Sequence, residues 1–412
     1  MKSIPQLPPR VAILADYGLP DGGAPKVAVE SARALAEAGL RVHYLFAVGD
    51  EADPLLDHPS IERVGFGLEG VWAASGAKAL ARGLWNRAAA ARLSRELAAR
   101  DGPDLVVHLH QWSKAFSPAA FPVLHRCGRP WAITLHDHFL ACPTGVFHRF
   151  DLDEPCALRP LSVACLAARC DPRSPAHKAV RVARTAILRR ALAGADFRAI
   201  HVSDLGRRTI APHLPPGARQ RIVANPVRIA RGERAALPGD GPVVYVGRFT
   251  REKGAAVAAR AAARAGWPAL FVGDGPAEAD IRAAHPGAEI APWATPAEID
   301  RILRTRARAL IAPSRWPETG PLTIYEAMAA GVPAIGSTLS GAAERLTEGV
   351  TGFVVAPTPD ANALALAALA VPGRAKAMGA AAHDDYWARP QDFAAHAAAL
   401  LRLYDDMLDG RD

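Results

Sequence analysis

A chain of 412 residues is longer than one ordinary hydrophobic core supports, so two domains of roughly 150–200 residues each are the first expectation. A composition of 50% hydrophobic and 22% charged residues excludes a mainly disordered chain, and five cysteines exclude a disulfide-stapled mini-domain. No apolar run reaches the roughly 18 residues that a membrane-spanning helix needs. The net charge of +8, from 49 basic and 41 acidic residues, admits an anionic membrane, a phosphorylated substrate or nucleic acid and does not choose among them.

In chain order, a proline-rich leader enters the strand-like run Val11–Ala15. A loop with Gly18, Gly22 and Gly23 follows, and then apolar residues at helical spacing from Lys26 to Ala38, stopped by Gly39. Val42–Ala47 is again strand-like. Strand, glycine loop, helix, strand is the pattern of a parallel doubly wound sheet, and it recurs at Leu105–Leu109, Trp131–Leu135 and Ala199–Val202. Gly70 to Arg100, with Trp72 and Trp85, is rich in alanine and arginine and reads as helical. Asn225 to Pro242 is rich in turn residues and breaks the pattern.

The pattern then restarts with strands at Val243–Val246, Ala269–Val272, Ala309–Ala312, Pro333–Gly336 and Gly352–Val355. Helices are expected near residues 254–265, 277–284, 296–303, 322–330 and 341–347, and a last one near 390–408. Two runs of one pattern predict an α/β chain of two Rossmann-like halves facing each other across a cleft. The expected divisions are 1–228, 229–388 and a C-terminal helix in 389–412 that packs back on the first half.

Three features of the second half point to chemistry. Gly247-Arg248-Phe249-Thr250-Arg251-Glu252-Lys253-Gly254 follows a strand and opens a helix, which puts Arg248 and Lys253 beside unpaired helix N–H groups. A diphosphate requires such a combination; a solvated charged loop is the plainer reading. Gly273-Asp274-Gly275-Pro276 is a tight turn at the carboxyl edge of the sheet, where open α/β folds bind ligands. Glu318 and Glu326, separated by seven residues, flank the Gly320-Pro321 loop and the start of a helix, where carboxylates suit vicinal hydroxyls. No Gly-x-Gly-x-x-Gly follows the first strand and no Walker sequence is present, which argues against a dinucleotide oxidoreductase or a phosphate-loop NTPase.

With these residues in place, the chain resembles the retaining glycosyltransferases of family 4, which have the GT-B fold. The resemblance is carried by Gly247-Arg248 with Lys253-Gly254, by Gly273-Asp274-Gly275 and by the block Pro313 to Pro333 that holds both glutamates. Gly341-Ala342-Ala343-Glu344 and Thr351-Gly352-Phe353 complete a span of about 110 residues. The resemblance implies that Arg248 and Lys253 hold the donor diphosphate, Glu326 the ribose and Glu318 the sugar hydroxyls. Backbone at Gly247, Gly273, Gly320, Leu322 and Thr323 would complete the donor site. Pro321, where many members have a residue with an N–H, removes one donor from that loop. No metal is implied for the reaction, because Arg248 and Lys253 take the place of Mg²⁺.

In the first half, Gly22 and Gly23 match the family's glycine loop. By resemblance His136 points at the donor sugar and counts with Arg248, Lys253 and Glu318 as catalytic. A histidine bonded to a neighbouring loop is the alternative. His110 and Asp137 are expected on the acceptor side, with Asp137 orienting His136 or capping a turn.

Cys142, Cys156, Cys165 and Cys170 fall within 29 residues. They suit either a structural zinc or buried free thiols. Residues 157–208 hold 11 Arg or Lys against 3 Asp or Glu. Within them Lys178, Arg181, Arg184, Arg189 and Arg190 line up with Val180, Ile187 and Leu188 as a basic amphipathic helix suited to an anionic membrane surface, with a solvated basic face as the alternative. Aromatic residues do not interleave with the cations, which disfavours nucleic acid. The resemblance implies as partners a nucleotide-sugar donor and a glycan or lipid-linked acceptor. The expected location is the cytoplasm or the inner membrane face. A nucleotide-sugar epimerase of the same fold and an inactive binding scaffold are the rival readings.

Overall fold

The structure is a computed structural model, and it describes residues 10–20, 22–71 and 76–411. The proline-rich leader and Trp72 lie outside the described residues. The first half runs β1 (Arg10–Tyr17), α1 (Gly23–Glu37), β2 (Arg41–Val48), β3 (Ile61–Leu68), α2 (Gly76–Leu84), α3 (Arg87–Ala99), β4 (Leu105–Leu109), α4 (Ala120–Arg126) and β5 (Trp131–Leu135). An insert holds the short hairpin β6 (His148–Arg149) and β7 (Glu154–Pro155), then α5 (Val163–Ala167) and α6 (Pro175–Ala191). β8 (Phe197–His201), α7 (Asp204–Ile210) and β9 (Ala218–Ile222) close this half.

The second half contains β10 (Val243–Val246), α8 (Ala255–Ala265), β11 (Ala269–Val272), α9 (Glu278–Ala284), β12 (Glu289–Ala291), α10 (Pro296–Thr305) and β13 (Ala309–Ala312). It continues with α11 (Leu322–Ala330), β14 (Ala334–Ser337), β15 (Gly352–Val355), α12 (Pro359–Ala370), α13 (Arg374–Ala388) and α14 (Phe393–Leu408). The segment expected as a helix near 341–347 is one short 3-10 turn, Gly341–Arg345.

Each half is built on one parallel sheet. The strand orders are β3-β2-β1-β4-β5-β8-β9 and β12-β11-β10-β13-β14-β15. Central strands such as Leu105–Leu109 and Trp131–Leu135 are buried along their whole length, as a sheet covered on both faces requires. The strand order reverses between β1 and β4 in the first sheet and between β10 and β13 in the second. Loops leaving the carboxyl ends of such strands form the ligand crevice of an open α/β fold. The sequence positions singled out above fall largely on those loops and on the loop after β5.

Helix α14 returns to the first half and buries Ala397, Leu400, Leu403, Tyr404 and Met407 in the core formed by α1, β1 and β2. His396 fixes its start: Nδ1 donates to the carbonyl of Ala224 at 2.8 Å, which leaves Nε2 to accept from the Ser31 hydroxyl at 2.8 Å. Farther along, the Tyr404 hydroxyl bonds His108 Nδ1 at 2.6 Å, while His108 Nε2 bonds Thr134 Oγ1 at 2.7 Å.

Candidate active site

The glycines of the second half are dictated first by packing. A Cβ on Gly273 would stand 2.2 Å from the carbonyl oxygen of Gly247, and Gly273 has φ +140. The two loops are laced together by Phe249 N donating to Asp274 O at 2.6 Å and Ala277 N donating to Phe249 O at 2.9 Å. Gly254, at the start of α8, has φ +78 and would drive a Cβ to 2.1 Å from Pro313 O. Only glycine meets both demands. By contrast, among the described residues nothing lies within 4 Å of a Cβ placed on Gly22 or Gly23.

Lys253 and Glu318 form an ion pair, and the second Glu318 oxygen accepts from Ser314 Oγ. The ammonium also stands 5.4 Å from the centre of the Trp316 ring. Glu318 is 5% exposed, and its backbone is pinned on both sides: Glu318 N donates to Leu339 O at 2.9 Å and Gly341 N to Glu318 O at 2.8 Å. Arg248 is exposed at the same edge. Its carbonyl accepts from the Tyr245 hydroxyl at 2.9 Å. Gly320, Leu322 and Thr323 are half-buried at the start of α11, where Pro321 occupies the cap position.

Glu326 lies one turn into α11 and lines a small recess with Arg228, Ile229, Pro296, Ile299 and Asp300. Burial raises the pKa of its carboxyl group, and Lys26 of the first half opposes that rise from 3.9 Å. Glu30, on the same face of α1 as Lys26, is pushed up to about 7 by burial. Among the described residues, one of its oxygens is buried without a partner.

The histidines stand in a row. The rings of His108 and His110 are 4.2 Å apart and those of His110 and His136 5.3 Å, with His110 Nδ1 bonded to His136 Nε2 at 3.1 Å. Burial lowers the pKa of all three, to about 3 for His108 and His136, so all three rings are neutral at pH 7. Among the described residues, His110 Nε2 is buried without a partner. An orphaned lone pair is more common in proteins than an orphaned N–H, so the preferred arrangement has His110 Nδ1–H donating and His136 carrying its proton on Nδ1.

His110 is 4% exposed and packs behind His136 as its support. Asp137 caps a turn by accepting from Phe139 N at 2.9 Å, and burial pushes its carboxyl up to about 6.

The basic helix also differs from its expected form. Lys178 is buried and donates to the carbonyls of Cys165 and Ala168. Arg184 is inserted between the rings of Phe139 and Trp112, at 4.8 and 5.5 Å, and Arg181 lies 3.2 Å from Asp171. Three of the five expected cations on α6 thus face inward, because the helix packs its basic side on the insert. Arg189 and Arg190 are exposed. The exposed apolar residues of this region are Leu152, Val163 and Leu166 on α5 and before it, and Val180 on α6 itself.

The four cysteines of the insert are free thiols. Burial and the neighbouring sulfurs raise the Cys156 pKa, and burial raises that of Cys170 despite Lys178. Among the described residues no three or more of His, Cys, Asp and Glu are arranged to hold a metal ion. The sequence does contain one Asp-x-Asp triplet, Asp151-Leu152-Asp153, a pattern that carries the metal in the other glycosyltransferase fold. Both of its carboxylates are taken by arginines, Asp151 by Arg149 at 2.7 Å and Asp153 by Arg315.

Two parallel sheets facing across a cleft lined by cations, carboxylates and histidines define a GT-B glycosyltransferase. Residues 21–231 match the model of Glycosyltransferase Family 4, and residues 231–372 match that of Glycosyl transferases group 1. The chain belongs to glycosyltransferase family 4. No curated protein sequence matches it. Among solved structures it is similar to a sucrose-phosphate synthase from Thermosynechococcus elongatus, with TM-score 0.72 and 19% identity over 98% of this chain and 100% of that one. Anabaena HepE in complex with UDP and glucose matches with TM-score 0.61 and 15% identity over 96% and 99% of the two chains. WaaG, a glycosyltransferase involved in lipopolysaccharide biosynthesis, matches with TM-score 0.63 and 15% identity over 96% and 99%.

Proposed function

We propose that this glycosyltransferase transfers a sugar from a nucleotide-sugar donor to a glycan or lipid-linked acceptor with retention of anomeric configuration, in the making of a cell-surface polysaccharide. The observation that carries the donor assignment is the Lys253–Glu318 pair beside exposed Arg248, at the carboxyl edge of the sheet and facing the His136 loop. In this reading the donor diphosphate takes Arg248 and Lys253, the sugar hydroxyls take Glu318, and the ribose takes Glu326 beside its recess. HepE, with UDP and glucose bound, and WaaG, in lipopolysaccharide synthesis, support the donor class and the pathway class.

Retention by double displacement requires a carboxylate nucleophile beneath the anomeric carbon. Glu318 is committed to Lys253 and Ser314, which favours attack on the same face, with the leaving diphosphate accepting the acceptor proton. The main contribution to catalysis is then electrostatic: Arg248 and Lys253 stabilise the charge that develops on the diphosphate, without a metal. His136, neutral and carrying Nδ1–H, donates a hydrogen bond to the sugar and moves no proton. The acceptor half meets the inner face of an anionic membrane through Val163 and Leu166, with exposed Arg159, Arg169, Arg189 and Arg190 around them.

A thermal-shift panel of UDP, GDP and ADP, followed by turnover of the matching sugar nucleotides and NMR of the product anomer, tests this reading. A stabilising nucleotide and an α-linked product from an α-linked donor are expected. Inverted product would overturn retention, epimerised free nucleotide sugar would establish the epimerase, and binding without turnover the scaffold.

A further inference from the structure

Two hydrogen bonds cross the cleft between the loop that carries His136 and the loop that carries Glu318. Thr319 Oγ1 donates to the carbonyl oxygen of His136 at 2.9 Å. His138 Nε2 donates to the carbonyl oxygen of Pro317 at 2.8 Å. Each bond therefore joins one candidate, or the residue preceding it, to a near neighbour of the other. Both donors are buried, Thr319 at 6% and His138 at 0% exposure. The Trp316 ring that meets Lys253 also meets His138, edge to face at 6.2 Å.

The Glu318 loop is held from behind as well. A Cβ on Gly341 would lie 2.3 Å from Thr319 O and 2.2 Å from Ser203 Oγ, so the loop is packed between the two halves with no spare room. Beside it, Glu344 accepts from Asp204 N at 3.0 Å and Leu205 N at 2.6 Å, tying the second half to the start of α7 in the first.

We propose that Thr319 and His138 are positioning residues that lock the His136 loop to the Glu318 loop across the closed cleft. Two domains joined by a linker move relative to each other unless specific contacts fix them. A displacement of about 1 Å in reacting groups can reduce turnover about a hundredfold. Two buried hydrogen bonds between the loops fix the separation of His136 and Glu318 without either donor touching the sugar.

This inference rests on the donor-site reading above, and its test separates the two. The wild type, Thr319→Val, Thr319→Ser and His138→Phe are compared in turnover of UDP-, GDP- and ADP-glucose, in binding of UDP, GDP and ADP by calorimetry, and in hydrogen exchange at residues 136–141 and 317–323. Thr319→Val keeps the side-chain shape and removes the hydroxyl. It is expected to lower kcat by about tenfold or more, to leave KM and nucleotide Kd within about twofold, and to speed exchange in both loops. His138→Phe is expected to follow it, while Thr319→Ser stays within about threefold of the wild type. Unchanged exchange in both loops, or faster exchange with kcat intact, overturns the inference. Failure of the wild type to bind or turn over any of these probes removes the donor-site reading. The exchange comparison then decides by itself whether the two loops are locked.

Discussion

Lys26 Nζ of the first half stands 3.9 Å from Glu326 Oε1 of the second and 3.9 Å from Glu30 Oε1 on its own helix. One ammonium thus serves two buried carboxylates from opposite sides of the cleft. Lys26→Met is expected to leave those carboxylates with Arg228 as the nearby cation. Stability should fall by about 1 kcal/mol at pH 8 and by less at pH 6, where Glu30 is mostly protonated. Chemical denaturation at the two pH values measures this; an equal loss at both would show that the ammonium does not act on Glu30.

Glu30 gives a pH dependence of its own. Lys26 and Arg228 favour its charged form, and Glu326 and Asp53 oppose it, but burial dominates and raises the group from 4.5 to about 7. The native state therefore binds more protons than the unfolded chain between those values, and stability declines as pH rises through that window. The decline reaches roughly 3 kcal/mol at most for a shift of this size. Glu30→Gln should flatten the curve and be more stable than the wild type above pH 8. Identical curves for the two proteins would be the contrary result.

Lys253→Ala removes the cation assigned to the diphosphate. Turnover of the sugar nucleotide should fall about 10²–10³-fold, the usual effect of losing one electrostatic stabiliser of a developing oxyanion. Far-UV circular dichroism should be unchanged, because the ammonium is not part of a core. Normal turnover would remove Lys253 from the site, and Glu326→Ala provides the same check for the ribose position.

Tyr404→Phe tests the support behind the histidine row. The Tyr404 hydroxyl and His108 are both buried, so the substitution leaves an imidazole nitrogen without its partner. A loss of about 1–3 kcal/mol is expected in thermal unfolding. A smaller fall in kcat should accompany it, since His108 stacks on His110 and His110 bonds His136.

The two-sheet architecture was legible because its signals are local. Strand, loop and helix alternate at fixed periods, and buried parallel strands are continuous apolar runs. The short strands Glu289–Ala291 and Ala218–Ile222 were not, since both are half exposed and lack such a run. Helices α12 and α13 were missed for another reason. Their alanine-rich sequences, such as Asp360-Ala361-Asn362-Ala363-Leu364-Ala365, lack a clean apolar stripe.

The sequence by itself determined the class of site: which loops carry Arg248, Lys253, Glu318 and His136, and which helix carries Glu326. Tertiary structure decided how those groups meet. It joined Lys253 to Glu318, placed His110 behind His136, set Lys26 against Glu326 and turned Lys178 and Arg184 inward, so that composition alone misstated the basic face of α6. It also supplied Thr319 and His138 as cross-cleft donors, 183 and 179 residues from their acceptors. The physical reason is range. Backbone periodicity and turn chemistry act over a few residues and are written in sequence order. Ion pairs, burial and hydrogen bonds across a cleft depend on distances that only the folding of two halves onto each other creates.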